Sequence, residues 1–523
     1  MANKEQFLQT VKSGYSFEGE AIKIGRAMLD GEVVEGADVL LPLRTLNRHG
    51  LIAGATGTGK TKTLQLMAEG LSDASVPVLL LDIKGDLSGL AAPGAPNEKL
   101  QKRAAQLGIT YTPQGYPVEL LTLSDKPGVR LRATVSEFGP VLLSKILGLN
   151  DTQGGIVALV FKYCDDNKLP LLDLKDLIKV LQFISNEGKE ELQQSYGNIS
   201  TTSTGTILRK VIELQQQGAD TFFGERSFDV DDLMRIADDG RGVISILRVT
   251  ELQDRPKLFS TFMLQLLAEL YATSPEEGDV DKPKLVLFID EAHLVFNDAT
   301  EVLLQQIETV IKLIRSKGIG VFFCTQTPSD VPASVLSQLG LKVQHALRAF
   351  TAADRKTIKQ AAENYPETEF YDTDSLLTSL GIGEALVTVL SEKGTPTPLV
   401  HTMLVPPRSR MDVLSEEEVN TIVNRSKLAA KYNEAVDSES AHELLTKKLE
   451  AAQQREEEIE QMEQKAKEEK QAARRPTGPK EESWMDNPVV RQAGRTAASI
   501  LTRSLLGVLG VSSTRKRRSK SWF

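Results

Sequence analysis

The sequence predicts an α/β fold in which helices cover both faces of a largely parallel sheet. Two observations carry this prediction. A glycine-rich loop at residues 54–61 joins a short apolar run to a segment with helical spacing. Further short apolar runs then alternate with helical patterns along much of the 523-residue chain. This alternation is typical of a doubly wound parallel sheet.

The loop reads GATGTGKT and fits the phosphate-binding pattern G-x-x-x-x-G-K-[ST]. Residues 50–53 before it predict a buried strand, and residues 61–70 after it predict a helix. Glycines let backbone N–H groups approach phosphates, and the helix N-terminus attracts negative charge. We expect Lys60 to reach the β- and γ-phosphates and the Thr61 hydroxyl to bind Mg²⁺. The predicted ATP-binding residues are Gly54, Ala55, Thr56, Gly57, Thr58, Gly59, Lys60, Thr61 and Thr63.

Composition limits the classes of function. The net charge of −9 excludes a protein that is basic overall, so any DNA contact would use a local basic surface such as a pore. The two cysteines, Cys164 and Cys324, lie in or beside apolar runs and are expected to be reduced. The sequence starts without a signal-peptide pattern, and its apolar runs are too short to span a membrane. These features predict a cytoplasmic protein.

Residues 1–45 are expected to form a small β segment packed on a core of residues 46–410. Strands are predicted at 21–25 and 39–43, and Pro42 makes the second one an edge strand or ends it. Together these two strands are expected to form a small sheet over the nucleotide site.

Within the core, residues 77–82 form a continuous apolar run that predicts a buried strand. Asp82 and Lys84 at its end lie beside the nucleotide, line a channel or belong to an ordinary strand-end turn. A helical insertion is predicted over about 137–240. Its expected helices lie around 141–147, 156–161, 174–184 and 207–214, with a loop at 200–206. The later predicted strands are 242–247, 284–291, 320–326, 342–347, 384–390 and 399–405, with helices at 257–271, 299–315 and 354–363.

A second motif follows the apolar run at 285–289, where Asp290 and Glu291 complete a Walker B element. Two adjacent carboxylates at the end of a buried strand are costly unless a cation or hydrogen bonds compensate them. Asp290 is expected to bind Mg²⁺, and Glu291 to activate the attacking water as a general base. Gln326 ends the next strand, where its amide can sense the γ-phosphate.

Phosphoryl transfer also needs positive charge on the developing transition state, often from an arginine of a neighbouring subunit. Arg48, Arg315 and Arg348 are the candidates. The residue pattern alone does not say which of them crosses an interface.

After residue 410 the composition changes. Residues 411–471 are charged and have helical spacing, with a weak heptad pattern. Residues 472–523 form a linker and a basic amphipathic tail. Such a tail binds an anionic membrane surface or nucleic acid, or it is a flexible end with a marginal helix.

Four motifs together resemble the HerA/FtsK superfamily of P-loop ATPases. They are RHGLIAGATGTGKT at 48–61, LDIKGD at 81–86, FIDEAH at 288–293 and RSKGIGVFFCTQ at 315–326. With the run FFGE at 222–225, the chain is also similar to bacterial HerA-like proteins of the YjgR type over almost its whole length.

The resemblance implies a RecA-like core that binds ATP and Mg²⁺, a hexameric ring, and ATP-driven movement of DNA through a pore. Arg48 resembles the arginine that acts on a neighbour's nucleotide in HerA, and Arg315 resembles the one before the sensor strand. HerA also carries an N-terminal β-barrel that docks a nuclease. This chain has too few residues before Lys60 for that barrel, which argues against a nuclease partner.

Two alternatives stay open. The pattern Asp-x-Lys-Gly-Asp at 82–86 also resembles coupling ATPases of secretion and conjugation. A motor on protein or membrane-associated cargo, anchored by the basic tail, is therefore the first alternative. The second is a nucleotide-gated scaffold without useful turnover, and the intact Glu291 argues against it.

Overall fold

A twelve-stranded mixed sheet organises the part of the chain that the structure describes. The computed structural model describes residues 4–250, 255–278, 280–296, 301–434, 436 and 438–472. The strands are β1 Ala21–Leu29, β2 Glu32–Pro42, β3 Gly50–Ala53, β4 Val78–Asp82, β5 Val118–Thr122, β6 Val129–Arg130, β7 Ile244–Arg248, β8 Leu285–Ile289, β9 Ile319–Thr325, β10 Leu341–Gln344, β11 Glu384–Thr388 and β12 Val400–Leu404. Apart from Ala472, the linker and basic tail expected at 472–523 lie outside the described residues.

Helices surround this sheet on both sides. They are α1 Lys4–Gly14, α2 Lys60–Asp73, α3 Glu98–Gln106, α4 Val135–Ile146, α5 Asp151–Asn167, α6 Leu174–Ser185, α7 Lys189–Tyr196, α8 Thr201–Gln216, α9 Pro256–Thr273, α10 His293–Phe296, α11 Glu301–Ile314, α12 Ala333–Leu336, α13 Ala352–Ala362, α14 Thr373–Ser379, α15 Glu416–Arg425, α16 Lys427–Tyr432 and α17 Ala441–Ala472. Among these described helices, none combines the length and the apolar character that crossing a membrane requires.

The strand order is β2-β1-β12-β11-β10-β3-β9-β8-β4-β7-β5-β6. The eight strands from β10 to β6 run parallel, and β11, β12, β1 and β2 continue the sheet in antiparallel pairs. All parallel strands therefore point their carboxyl ends to one edge. The phosphate-binding strand β3 lies between β10 and β9, so its loop emerges in the middle of that edge.

The sheet is buried on both faces because successive strand residues point to opposite sides. In β4, Leu79 and Leu81 belong to the apolar cluster that includes the helices of the 135–216 region. Val78 and Leu80 belong to the opposite cluster, with α2 and the N-terminal strands. This two-sided burial explains the unbroken apolar runs in the sequence, and it confirms the predicted doubly wound α/β fold.

The N-terminal strands differ from expectation, since they extend the main sheet and do not form a separate small one. β1 pairs with β12, with Gly25 opposite Leu404. A Cβ at Gly25 would lie 2.3 Å from the Met403 carbonyl oxygen, so glycine permits this close approach. β2 pairs with β1 as the outermost strand and ends at Pro42, as its sequence predicted.

The structure differs from the sequence prediction at residues 200–206, which were expected to be a loop, and it divides the helical segment predicted at 411–471. The polar stretch 200–206 begins α8, because the Ser200 hydroxyl accepts from the Ser203 N–H at 3.3 Å and caps the helix. The charged segment after residue 415 is three helices. Ser426 ends α15 and caps α16 through the Ala429 N–H at 3.0 Å, so a polar capping residue interrupts the helical pattern.

The packing beneath β3 depends on one aromatic ring. Phe322 of β9 is fully buried, and its ring centroid lies 5.0 Å from that of Phe288 in β8. A Cβ at Gly50, the first residue of β3, would lie 2.4 Å from the Phe322 ring. Phe322 therefore fills the space that Gly50 leaves and fixes β3 against β9.

We expect Phe322→Ala to lower the free energy of unfolding by about 3–5 kcal/mol, because it leaves a cavity under β3. Phe350→Ala is the matched control, since Phe350 is 84% exposed. Its effect should stay within about 0.5 kcal/mol. Urea unfolding followed by circular dichroism measures both. A wild-type midpoint for Phe322→Ala would contradict this account of the core.

Candidate functional site

The glycine-rich loop connects β3 to α2 at the carboxyl edge of the sheet. Gly59 caps α2 with a left-handed φ of 116°. Gly54 has a φ of 156°, and a Cβ there would lie 2.5 Å from the Cβ of His345. A side chain at Gly54 would therefore clash with the segment that follows β10. This explains in packing terms why the loop begins with glycine.

Backbone hydrogen bonds hold the start of the loop between its two neighbouring strands. The Gly54 N–H donates to the Thr325 carbonyl at 3.2 Å, at the end of β9. The Ala55 N–H donates to the Ala346 carbonyl at 2.8 Å, just after β10. The loop is thus fixed on both sides before α2 begins.

Lys60 lies within the curve of the loop. Its Nζ donates to the Gly54 carbonyl at 2.6 Å and to the Ala55 carbonyl at 3.3 Å, and the residue is 6% exposed. Burial lowers the pKa of Lys60, and the nearby Lys84 lowers it further, whereas Glu291 and Asp290 act in the opposite direction. A phosphate group placed in the loop would favour the charged form of this amine.

The four loop threonines occupy different environments. Thr56 is exposed, Thr61 is half-buried, and Thr58 donates its hydroxyl to the Ala55 carbonyl at 2.7 Å. Thr63 is buried, and its hydroxyl lies 2.8 Å from His345 Nε2. Thr61 is therefore accessible to a bound metal, while Thr63 joins the loop helix to the segment after β10.

Asp290 and Glu291 follow β8, two strands from β3. Asp290 is 1% exposed, and its Oδ1 accepts the Glu291 N–H at 3.0 Å. Its Oδ2 is buried without a hydrogen-bond partner among the described residues. Burial raises the pKa of Asp290, and Lys84 opposes that rise. An unsatisfied carboxylate oxygen at this depth is costly, which is consistent with a site for a cation.

Glu291 has a left-handed φ of 47°, which is uncommon outside glycine. Its Oε1 forms an ion pair with the Lys84 amine, and its Oε2 lies 3.3 Å from His293 Nδ1. Burial disfavours the charged form of Lys84, but the hydrogen bond to Glu291 and the charges of Asp290 and Glu291 together outweigh it, so the pKa of Lys84 is raised. The ion pair with Lys84 offsets the cost of burying the Glu291 carboxylate.

The turn after β4 presents Lys84 to this carboxylate. The Asp82 side chain accepts the N–H groups of Gly85 at 2.7 Å, Asp86 at 3.2 Å and Leu87 at 3.1 Å. Burial raises the pKa of Asp82 to about 6, although these N–H groups oppose it. Asp82 therefore stabilises an ordinary strand-end turn, whereas Lys84 lies within the predicted site. Asp82 thus fits the interpretation as an ordinary turn, and Lys84 fits the interpretation as a residue near the nucleotide.

Gln326 follows β9 and is exposed at the same edge. The turn beyond it is rigid, because the Asp330 carboxylate accepts the Thr325 hydroxyl at 2.5 Å and the Thr327 N–H at 2.9 Å. Gln326 therefore projects from a fixed frame beside the phosphate-binding loop.

Arg48 and Arg315 lie at the opposite edge, before the amino ends of β3 and β9. Both line one cavity of about 670 Å³, together with Lys312 and Lys342. The seven residues of β9 span roughly 20 Å at ~3.3 Å per residue. Neither guanidinium can therefore reach the phosphate-binding loop of its own chain. Arg348 instead follows β10 at the carboxyl edge and is exposed.

Buried His49 links the elements around that cavity. Its Nδ1 accepts the Val321 N–H at 3.0 Å, so its Nε2 donates to the Ile311 carbonyl at 2.8 Å. Burial lowers the pKa of His49 to about 4, and Arg315 contributes to the shift. A neutral His49 thus joins α11 and β9 just below the two arginines.

The residues present fit a magnesium ion of the kind that P-loop sites bind. Mg²⁺ takes few protein ligands and keeps several waters, so the Thr61 hydroxyl and the unsatisfied Asp290 oxygen are sufficient. Larger groups of His, Cys, Asp and Glu suited to a metal do not occur in the described part of the chain.

Three residues of the site were missed or left undecided from sequence. For Lys84 the sequence left open whether it lies beside the nucleotide or in an ordinary turn, and its ion pair with Glu291 was not predicted. Cys324 was read as a buried thiol, and burial together with the nearby Asp290 charge raises its pKa. His345 is fully buried under the loop, and burial together with Lys60 lowers its pKa to about 4. Cys324 stands in an apolar run, and His345 follows two polar residues of a short strand, Lys342 and Gln344, so neither position carried a specific signal.

Comparison with known proteins agrees with this architecture. Residues 28–517 match the family described as helicase HerA-like C-terminal. The DNA double-strand break repair helicase HerA of Saccharolobus solfataricus is 23% identical over 384 residues, which are 72% of this chain and 68% of that protein. The protein of the same name from Sulfolobus acidocaldarius is 22% identical over 382 residues, covering 71% of this chain and 67% of that one.

A solved structure shares the fold. The bacterial conjugative coupling protein TrwB, in its unbound monoclinic form, aligns with a TM-score of 0.50 and 14% sequence identity. The alignment covers 78% of this chain and 94% of that chain. Because the family match spans most of the sequence, the resemblance to the HerA/FtsK superfamily of P-loop ATPases is confirmed, and this chain belongs to the helicase HerA-like C-terminal family.

Proposed function

We propose that the protein is a cytoplasmic, Mg²⁺-dependent ATP hydrolase that works as a ring-shaped oligomer, a hexamer by family resemblance, and moves DNA. One observation carries the proposal. Lys60, Glu291 and Gln326 lie at the same edge of the adjacent strands β3, β8 and β9, while Arg48 and Arg315 lie at the other edge. A complete site of this kind needs two copies of the chain.

The residues of the carboxyl edge have separable roles. Lys60 and the loop N–H groups hold the β- and γ-phosphates. Glu291 accepts the proton of the attacking water, and Gln326 orients that water against the γ-phosphate. In this mechanism Lys84 holds the Glu291 carboxylate through their ion pair until the water arrives.

Thr61 and Asp290 would hold Mg²⁺, with the metal neutralising charge on the β- and γ-phosphates. The buried, unpartnered Oδ2 of Asp290 supports this assignment. The Glu291 N–H donates to the other oxygen, Oδ1, at 3.0 Å, so Oδ2 is the oxygen left for the metal.

Arg48 and Arg315 act on the nucleotide of a neighbouring copy. An arginine supplied in trans stabilises charge that develops on the transferred phosphoryl group. The cavity they share with Lys312 and Lys342 supports this role, because four cations around one space suit a polyphosphate held against it. The ring places that cavity against the carboxyl edge of the next subunit.

DNA is the proposed cargo. This part of the proposal rests on the family and on relatives named as DNA double-strand break repair helicases. The chain carries a net charge of −9, so the DNA must meet a locally basic surface.

Steady-state hydrolysis of ATP tests this function. The purified full-length chain should hydrolyse ATP in the presence of Mg²⁺, and single- or double-stranded DNA at low salt should raise the rate severalfold. Glu291→Gln should lower the rate by roughly 10²–10⁴-fold while ATP binding persists, because the general base is lost. Glu416→Gln, at an exposed position on α15, is the control.

If no DNA changes the rate of ATP hydrolysis, DNA is excluded as the cargo, whereas the proposal that the protein hydrolyses ATP stands. Hydrolysis by Glu291→Gln at the wild-type rate would exclude Glu291 as the base.

Mixing inactive variants tests whether the site is shared between subunits. Lys60→Ala chains lack a working loop, and chains with both Arg48→Ala and Arg315→Ala lack the arginines. Each should be inactive alone. Mixed and reassembled, they should recover a measurable fraction of wild-type hydrolysis, because intact loops then face intact arginines.

The matched control mixes Lys60→Ala with Glu291→Gln chains. These two changes affect the same edge, so every site keeps a defect and activity should stay absent. Equal recovery in both mixtures, or no recovery in the first, would contradict a site built from two chains.

A further inference from the structure

A basic and aromatic surface lies beside the phosphate-binding loop, where β10 continues into α13. Arg348, Phe350, Arg355 and Lys359 line one cavity of about 670 Å³ at this place. We call these four residues the β10–α13 patch. None of them was assigned a role at the ATP site by the mechanism above.

Phe350 is 84% exposed, the highest exposure among the large apolar side chains that the structure describes. Its position is fixed by hydrogen bonds. The Asp354 carboxylate accepts the Phe350 N–H at 2.9 Å and the Thr351 N–H at 2.8 Å, within the capping box of α13. The ring is therefore held outward by an ordered turn, so its face is available for stacking.

The net charge around this ring is positive, because four exposed basic residues outnumber Asp354 and Asp374. Arg348, Arg355 and Lys359 are exposed, and Lys356 is exposed beside them on α13. Asp374 is the single acidic residue lining the cavity among the residues described there. In a chain with a net charge of −9, this is a local basic surface of the kind that DNA requires.

The patch is connected to the ATP site by two routes. On one side, the Ala346 carbonyl accepts the Ala55 N–H of the loop at 2.8 Å, and His345 Nε2 lies 2.8 Å from the Thr63 hydroxyl. On the other side, α13 contacts the turn at Pro328–Asp330. That turn follows Gln326, the proposed γ-phosphate sensor. A change at either point would therefore move the start or the face of α13.

We propose that the β10–α13 patch binds single-stranded DNA, with a base stacked on Phe350 and phosphates paired with Arg348, Arg355 and Lys359. This inference rests on the proposed function. Only an unpaired base offers its face to an aromatic ring, whereas the arginines and lysine contact the backbone of any sequence. The patch thus couples the phosphate-binding loop to the strand being moved.

A second copy of the chain fits the patch less well. In a ring, the neighbouring edge carries Arg48, Lys312, Arg315 and Lys342 around its own cavity. In the proposed ring the nucleotide phosphates lie between these cations and the loop of the next subunit and offset their charge. The patch lies beside that nucleotide, so its own cations are left for the phosphates of DNA.

Binding of fluorescein-labelled oligo-dT to the full-length protein tests the inference by fluorescence anisotropy across a salt series. Phe350→Ala should weaken binding by roughly tenfold, because one stacking contact is lost. Phe350→Trp should restore it. The double variant Arg348→Ala, Arg355→Ala should also weaken binding and should flatten the dependence of log K on log salt by about 1 or more, since phosphate contacts are lost.

Val141→Ala is the matched control, because Val141 is also exposed, at 64%, but lies on α4. Mass photometry of each variant measures the oligomeric state in the same samples. We expect every variant to keep the wild-type assembly.

If wild type binds oligo-dT and the patch variants bind it equally well, the patch is not the DNA site, although the proposed function stands. If Phe350→Ala instead changes the assembly, the patch is a contact between subunits and the inference is overturned. If wild type neither binds DNA nor responds to it in hydrolysis, the DNA part of the proposed function fails, and this inference fails with it.

Discussion

The structure depends on the backbone register that places β3 between β9 and β10. The Gly54 N–H bonds to the Thr325 carbonyl on one side, and the Ala55 N–H bonds to the Ala346 carbonyl on the other. These two hydrogen bonds tie the phosphate-binding loop to both strands at once. Each neighbouring strand then leads directly to a proposed functional residue, Gln326 after β9 and Phe350 after β10. The loop is therefore connected through one hydrogen bond on each side to the strand that precedes each of these residues.

The energetic cost of burying charge accounts for the contacts of Asp290 and Glu291. Asp290 and Glu291 end a strand that is buried on both faces, where unpaired carboxylates are unfavourable. Lys84 forms an ion pair with Glu291, and the Glu291 N–H donates to Asp290 Oδ1, but Oδ2 of Asp290 stays without a partner among the described residues. We infer that Mg²⁺ completes this arrangement. The same cost accounts for the strand-end position of the acidic pair, where ligand and water can reach it.

The sequence was sufficient for the features that depend on local pattern. The loop at 54–61 and the carboxylates after β8 are each contiguous in sequence, and buried parallel strands are continuous apolar runs. The α/β fold was therefore predicted correctly, and both motifs lie at strand ends as expected. The partners of Lys84 and His345 were not predictable, because strand order decides which strand ends meet. Capping by Ser200 was missed since a serine-rich stretch is typical of loops as well. The membership of β1 in the main sheet depends on its pairing with β12, far away in the chain.

The central claim is that the ATP site is divided between the two edges of the sheet and is completed by a neighbouring copy. The most direct measurement is a structure of the full-length assembly with Mg²⁺, ADP and aluminium fluoride. The account predicts the fluoride between Lys60 and Glu291, with Arg48 or Arg315 of the adjacent subunit within hydrogen-bonding distance of it. A fluoride contacted only by side chains of its own chain, with both arginines of the neighbour remote, would contradict the account.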